Sequence, residues 1–202
     1  MGITLIEFRD AFRNEWQRVT QEFPDDIIDA YEKDSTWTDF MLSPNGLLYR
    51  VMENISDKKS LKLYFRREWN NYDCLYLSGD EYAEDDSGSS WEKSRIEVVI
   101  EHENIFNTIS TEMGRLIHAR SPLKVLITYA PYQADKGVNK NLFTIVNMLE
   151  DLWKKVDDSA HLITEDGEYL IIIGDREGKI DKTKDIKWSW VQRGEVNPNP
   201  LQ

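Results

Sequence analysis

Cysteine is almost absent from this chain: Cys74 is the only one in 202 residues. An internal disulfide is therefore excluded, and a reducing cytoplasm is the expected location. Three scattered histidines add too little to that one thiol for a structural zinc site. Long apolar runs are missing as well. No stretch of 18 or more apolar residues occurs, so no transmembrane helix and no membrane partner are expected. The opening MGITLIEFRD has neither the basic n-region nor the apolar h-region of a signal peptide.

Aromatic residues are plentiful. Seven Trp, nine Tyr and seven Phe, within 40% hydrophobic and 31% charged residues, describe an ordinary globular protein with a core to bury. No internal repeat or composition break divides the chain, and its length suits a single domain over residues 1–202. Net charge is −12, which disfavours a polyanionic partner. That charge is unevenly spread. Residues 80–103 carry nine acids against two bases, whereas residues 58–67 carry Lys58, Lys59, Lys62, Arg66 and Arg67 and no acid. A basic strand beside an acidic hairpin suits a metal site that meets a phosphate backbone. Two solvated faces explain the same pattern.

Periodicity divides the chain into helices and strands. Thr4 and Glu7 have capping-box spacing, and Leu5, Phe8, Phe12, Trp16, Val19 and Phe23 recur every three or four residues, which predicts a long amphipathic helix. Pro24 with Asp25 and Asp26 opens a shorter one. Pro44-Asn45-Gly46 marks a turn, and Leu47 to Ile55 is again helical. Then the period changes to two. Leu61–Phe65 and Asp73–Leu77 read as a hairpin turning at Asn70-Asn71, and Arg95–Glu103 as a strand buried between layers. A helix from Ile105 to Ile117, a buried strand Leu123–Tyr129, a helix from Leu142 to Trp153, and a hairpin of Tyr169–Ile173 with Ile186–Val191 complete the order. Gly174-Asp175 reads as a turn and residues 197–202 as a loose tail.

The strand Arg95–Glu103 carries the chemistry. Alternation puts Glu97, Val99, Glu101 and Glu103 on one face, and Ile96, Val98, Ile100 and His102 on the other. A carboxylate following Val98-Val99-Ile100 is costly to bury unless it is paired or binds a metal. Two carboxylates two residues apart are well spaced to share a divalent cation, and a strand end in water accounts for them too. If Asp73–Leu77 pairs antiparallel with this strand, Asp73 arrives opposite Glu101 or Glu103, while Asp80 falls at the wrong end. Glu112 steps with the apolar stripe of the following helix. It either extends the site or pairs with Arg115 or His118.

From residue 47 the first six elements are αβββαβ, with an acid opening the second strand and Glu-x-Glu late in the third. This resembles the PD-(D/E)XK nucleases, over about residues 47–130. The resemblance implies a restriction-endonuclease-like α/β fold with a central mixed sheet. Residues 1–46 would be added N-terminal helices, and residues 131–196 an added helix plus hairpin. It implies Mg²⁺ (or Mn²⁺) held by Asp73, Glu101 and Glu103, with Glu112 as a possible extension. Glu103 occupies the place of the family's usual lysine, and Lys124 is the residue that could supply a migrated cation. Lys62, Arg66 and Arg67 would steady the nucleic-acid backbone. Homodimerisation is compatible with this reading. The alternative on the same scaffold is an inactive acidic protein that binds a protein partner, or an immunity or DNA-mimicking factor.

Overall fold

The structure, a computed structural model, describes residues 2–31, 34–69, 71–79, 95–104, 108–131, 138–160, 167–176 and 186–201. The acidic residues 80–92, and with them most of the acidic hairpin connection, lie outside the described residues, as do Ile105, Phe106 and His161.

Four helices come first: α1 (Leu5–Glu22), α2 (Pro24–Tyr31), α3 (Asp34–Leu42) and α4 (Leu47–Lys59). The Thr4 hydroxyl accepts from the Glu7 backbone N–H while Glu7 reaches back to the Thr4 N–H at 2.8 Å, which closes the capping box of α1. Helix α4 stops where Ser60 turns left-handed at φ 51. Strands β1 (Leu63–Trp69), β2 (Tyr72–Ser78) and β3 (Arg95–Glu103) follow, then α5 (Ile109–His118), β4 (Leu123–Pro131), α6 (Val138–Asp158), β5 (Glu168–Arg176), β6 (Trp188–Gln192) and the two-residue β7 (Asn199–Pro200).

The seven strands form one mixed sheet in chain order, β1 through β7. Strands β3, β4 and β5 run parallel in the middle, with antiparallel strands on either side. Parallel strands must be covered on both faces. Helices α1–α4 cover one, where Phe8, Phe12, Trp16, Trp37 and Leu48 pack on Cys74, Val98, Ile100, Val125 and Ile172. Helices α5 and α6 cover the other, where Met113, Leu116, Leu149 and Trp153 pack on Leu75, Val99, Leu126 and Ile171. The chain is thus an α/β protein with a mixed sheet between two helical layers. None of its described helices is long and apolar enough to cross a membrane.

Several expectations are corrected. Helix α3 forms where the sequence pattern predicts no element, because Asp34-Ser35-Thr36 looks like turn sequence; the fully buried Trp37 anchors it. Strand β1 runs on through Arg66, Arg67 and Glu68 to Trp69, which pairs with Tyr72 across the turn. Gly174 and Asp175 are strand residues: Gly174 lies between Tyr129 and Trp188, and a Cβ there would stand 2.8 Å from the Tyr129 ring. The C-terminal tail is tied down, with Ser189 paired to Pro200 and Leu201 N donating to Trp188 O at 2.8 Å. Proline is tolerated there because β7 is an edge.

Alternation along β3 also breaks. The register slips between Tyr76 and Leu77, so Ile96 packs with the α5–α6 layer while Glu97 turns to Ser78, whose hydroxyl donates to it, and to Gly2. Glu97 therefore leaves the face expected to hold Glu101.

Candidate functional site

Strands β2 and β3 pair with Cys74 opposite Ile100, so Asp73 stands one step further along, level with Glu101. The backbone N–H of His102 donates to Asp73 Oδ2 at 2.7 Å, which ties that carboxylate to the end of the β2–β3 pair. Asp73 is half-buried, whereas Glu101 is fully buried, and no N–H or hydroxyl donor bonds either of its oxygens, which leaves it only the carboxyls of Asp73 and Glu112 with which to share a proton. A buried acid in that state is expensive to ionise. Burial, followed by the like charges of Asp73 and Glu112, pushes the Glu101 carboxyl up to about 9. Burial also raises Asp73, partly offset by its bond from the His102 N–H.

Helix α5 brings Glu112 and Arg115 over the same end of the sheet. Glu112 is buried, and burial raises its pKa against the opposing pull of Arg115. Arg115 Nη1 lies 2.6 Å from Glu112 Oε2 and 3.9 Å from Glu101 Oε2. Glu112 thus pairs with Arg115, as one of its two expected roles has it, and its charge also bears on Glu101. Glu103 is half-buried two residues beyond Glu101, opposite Thr128 of β4. Its charge bears on both Asp73 and Glu112.

Among the described residues, no group of three or more His, Cys, Asp or Glu side chains stands close enough to hold a metal ion. The expected ligand set Asp73, Glu101 and Glu103, extended by Glu112, is therefore not assembled as one cluster. The pair Asp73 and Glu101 does fit a hard divalent cation. Both are oxygen donors, and both Glu101 oxygens are buried without an N–H or hydroxyl donor. Mg²⁺ is commonly held by one or two carboxylates, with waters and substrate phosphates filling the remaining positions.

Lys124 is fully buried, contrary to the exposed position ordinary for lysine. It lies opposite Val99 and Tyr169 at the start of β4, donates to the Tyr169 hydroxyl at 3.1 Å and sits 4.8 Å from that ring's centroid. The basic trio is also divided. Arg67 pairs with Cys74 and bridges to Asp39 of α3 at 2.8 Å, on the α1–α4 side. Arg66 stands opposite Leu75, on the α5–α6 side, and exposed Lys62 lies 5.2 Å from the Tyr64 ring centroid.

His102 turns to the α1–α4 layer, with Nε2 2.8 Å from the Tyr129 hydroxyl, which also accepts from Trp37 Nε1. It packs and hydrogen-bonds there on the face away from the acids. Two residues of the acidic end carry little signal in the sequence. There, Arg115 reads only as a partner for Glu112. Thr128 is buried with its hydroxyl unpartnered in the structure. Its one sequence signal is a polar residue late in an otherwise apolar strand.

Fold and site together define an α/β protein with a carboxylate pair, one fully and one half-buried, at one end of a mixed sheet. No family model matches the chain, and no curated protein matches it either.

Proposed function

We propose that this chain is a metal-dependent nuclease of the PD-(D/E)XK kind, with its restriction-endonuclease-like core in the order α4-β1-β2-β3-α5-β4. Asp73 and Glu101 form its cation site. The observation that carries this reading is Glu101: a fully buried carboxylate against two further acids, Asp73 and Glu112, with no N–H or hydroxyl donor bonded to either oxygen. Such a group is satisfied by a shared proton or by a cation.

Mg²⁺ or Mn²⁺ there would polarise a scissile phosphodiester and lower the pKa of a bound water. The chain's own residues supply the rest. The His102 N–H holds one Asp73 oxygen and leaves the other to face the site. Glu103 stands near the two acids, half-buried, and accepts the proton of the attacking water. The water oxygen forms the new bond to phosphorus. The bond to the leaving sugar oxygen breaks, and that oxygen takes a proton from solvent. Arg66, opposite Leu75 on the neighbouring strand β1, steadies the nucleic-acid backbone, while Lys62 precedes β1 at the other end of the sheet. Plasmid nicking with Mg²⁺ or Mn²⁺ tests the reading: activity abolished in Glu101→Ala is expected, and wild-type activity no greater than that variant's would refute it.

The net charge of −12 and the division of Arg66 and Arg67 between two faces favour a second reading, a catalytically inactive scaffold that binds a protein partner. Calorimetry with Mn²⁺ separates the two, since the second predicts no binding heat.

A further inference from the structure

An acidic site must still attract a polyanion, and Arg115 is placed to do that. Its side chain is 42% exposed although it reaches the buried acids, with Nη1 2.6 Å from Glu112 Oε2 and 3.9 Å from Glu101 Oε2. Glu112 is itself buried, so it anchors the guanidinium from below. Among the described residues only Nη1 is engaged. The Nε–Nη2 edge remains, and that edge presents two parallel N–H donors of the kind that match two oxygens of one phosphate. The other basic residues considered stand elsewhere: Lys124 is buried against Tyr169, and Arg67 is bridged to Asp39.

Resting on the nuclease reading, we propose that Arg115 binds a backbone phosphate of the nucleic acid next to the cation held by Asp73 and Glu101. Nη1 stays on Glu112, and the free edge of the guanidinium takes the phosphate oxygens. Asp73, Glu101 and Glu112 outnumber this one cation, so binding is ordered: the metal enters first and the phosphate follows.

Binding of a labelled duplex oligonucleotide is measured by fluorescence anisotropy over a salt series, with Ca²⁺ in the cation site. Calorimetry with Mn²⁺ on the same proteins reports the cation alone. Arg115→Gln is expected to keep Mn²⁺ binding at or above the wild-type affinity. It should lose roughly tenfold in oligonucleotide affinity, with a log–log salt slope shallower by about one. Arg115→Lys keeps the charge without the fork, and should keep the wild-type slope at an intermediate affinity. Wild-type affinity and slope in Arg115→Gln, with Mn²⁺ still bound, would overturn the proposal and leave Arg115 as an anchor for Glu112. Absence of Mn²⁺ binding by the wild type would instead overturn the nuclease reading on which it rests. If Arg115→Gln fails to fold by circular dichroism, the lysine variant decides: affinity equal to wild type counts against the proposal.

Discussion

At the scale of single residues, Glu101 sets how this protein responds to pH. Its carboxyl is pushed up to about 9 from an ordinary value of 4.5, by burial first and then by Asp73 and Glu112. A carboxyl raised on folding holds its proton more tightly in the folded state. The stability linked to that proton is fully present below the unfolded value and is lost as pH rises through the folded one. Metal-free protein should therefore lose stability between about pH 5 and pH 9, and the upward shifts of Asp73 and Glu112 act in the same direction. Urea denaturation at a series of pH values measures this. Glu101→Gln, which cannot ionise, should flatten most of the slope, and a slope unchanged in that variant would exclude Glu101 as its source. A metal displaces the same proton, so Mn²⁺ affinity should rise across the same range.

Residues also show what sequence can and cannot tell. Glu101 was legible because three β-branched residues precede it, and Asp73 because hairpin pairing brings it alongside. Glu97 was not, since no sequence signal marks the bulge that turns it to Ser78. Lys124 was not either. Its burial depends on Tyr169 from a strand 45 residues later, whose ring and hydroxyl receive the ammonium group.

At the scale of elements, the sheet separates the α1–α4 core from the chemistry. Helix α1 inserts Phe8 and Phe12 on one face, and Phe12 meets the Trp188 ring edge-on at a centroid distance of 5.1 Å. The acids are reached from the α5–α6 side. Phe12→Ala should cost about 3–5 kcal/mol, because a fully buried ring is lost and the close-packed helix can collapse only partly into the space. Urea unfolding measures that cost, and calorimetry below the transition should still show wild-type Mn²⁺ binding. A lost binding heat in folded Phe12→Ala would mean that the two faces are coupled. The same layering explains which elements were readable. Strands β3 and β4, rich in apolar residues on both faces, declared themselves and matched closely. Helix α3 and strand β7 are held mainly by tertiary contacts, Trp37 in the core and the pairing to β6, against a local composition that favours turn and tail.

At the scale of the whole molecule, charge and stability meet in the metal. The chain carries −12, and at its described acidic end Asp73, Glu101 and Glu112 feel each other's charge with one arginine, Arg115, against them. Folding assembles that repulsion, so a cation that binds only the folded state relieves it and stabilises the protein as a whole. The size follows from mass action: at a hundred times its dissociation constant, a ligand adds about 2.7 kcal/mol. In a chain of 202 residues each kcal/mol moves the melting temperature by about 2–4 °C. Near-saturating Mn²⁺ should therefore raise the melting temperature by roughly 5–10 °C. The rise should vanish in both Asp73→Asn and Glu101→Gln, followed by differential scanning calorimetry at one pH. A rise that persists in both variants would place the cation elsewhere, among the other acids. The double control matters because a chain this acidic gains a little from any divalent ion through screening alone, and screening does not depend on two particular carboxylates.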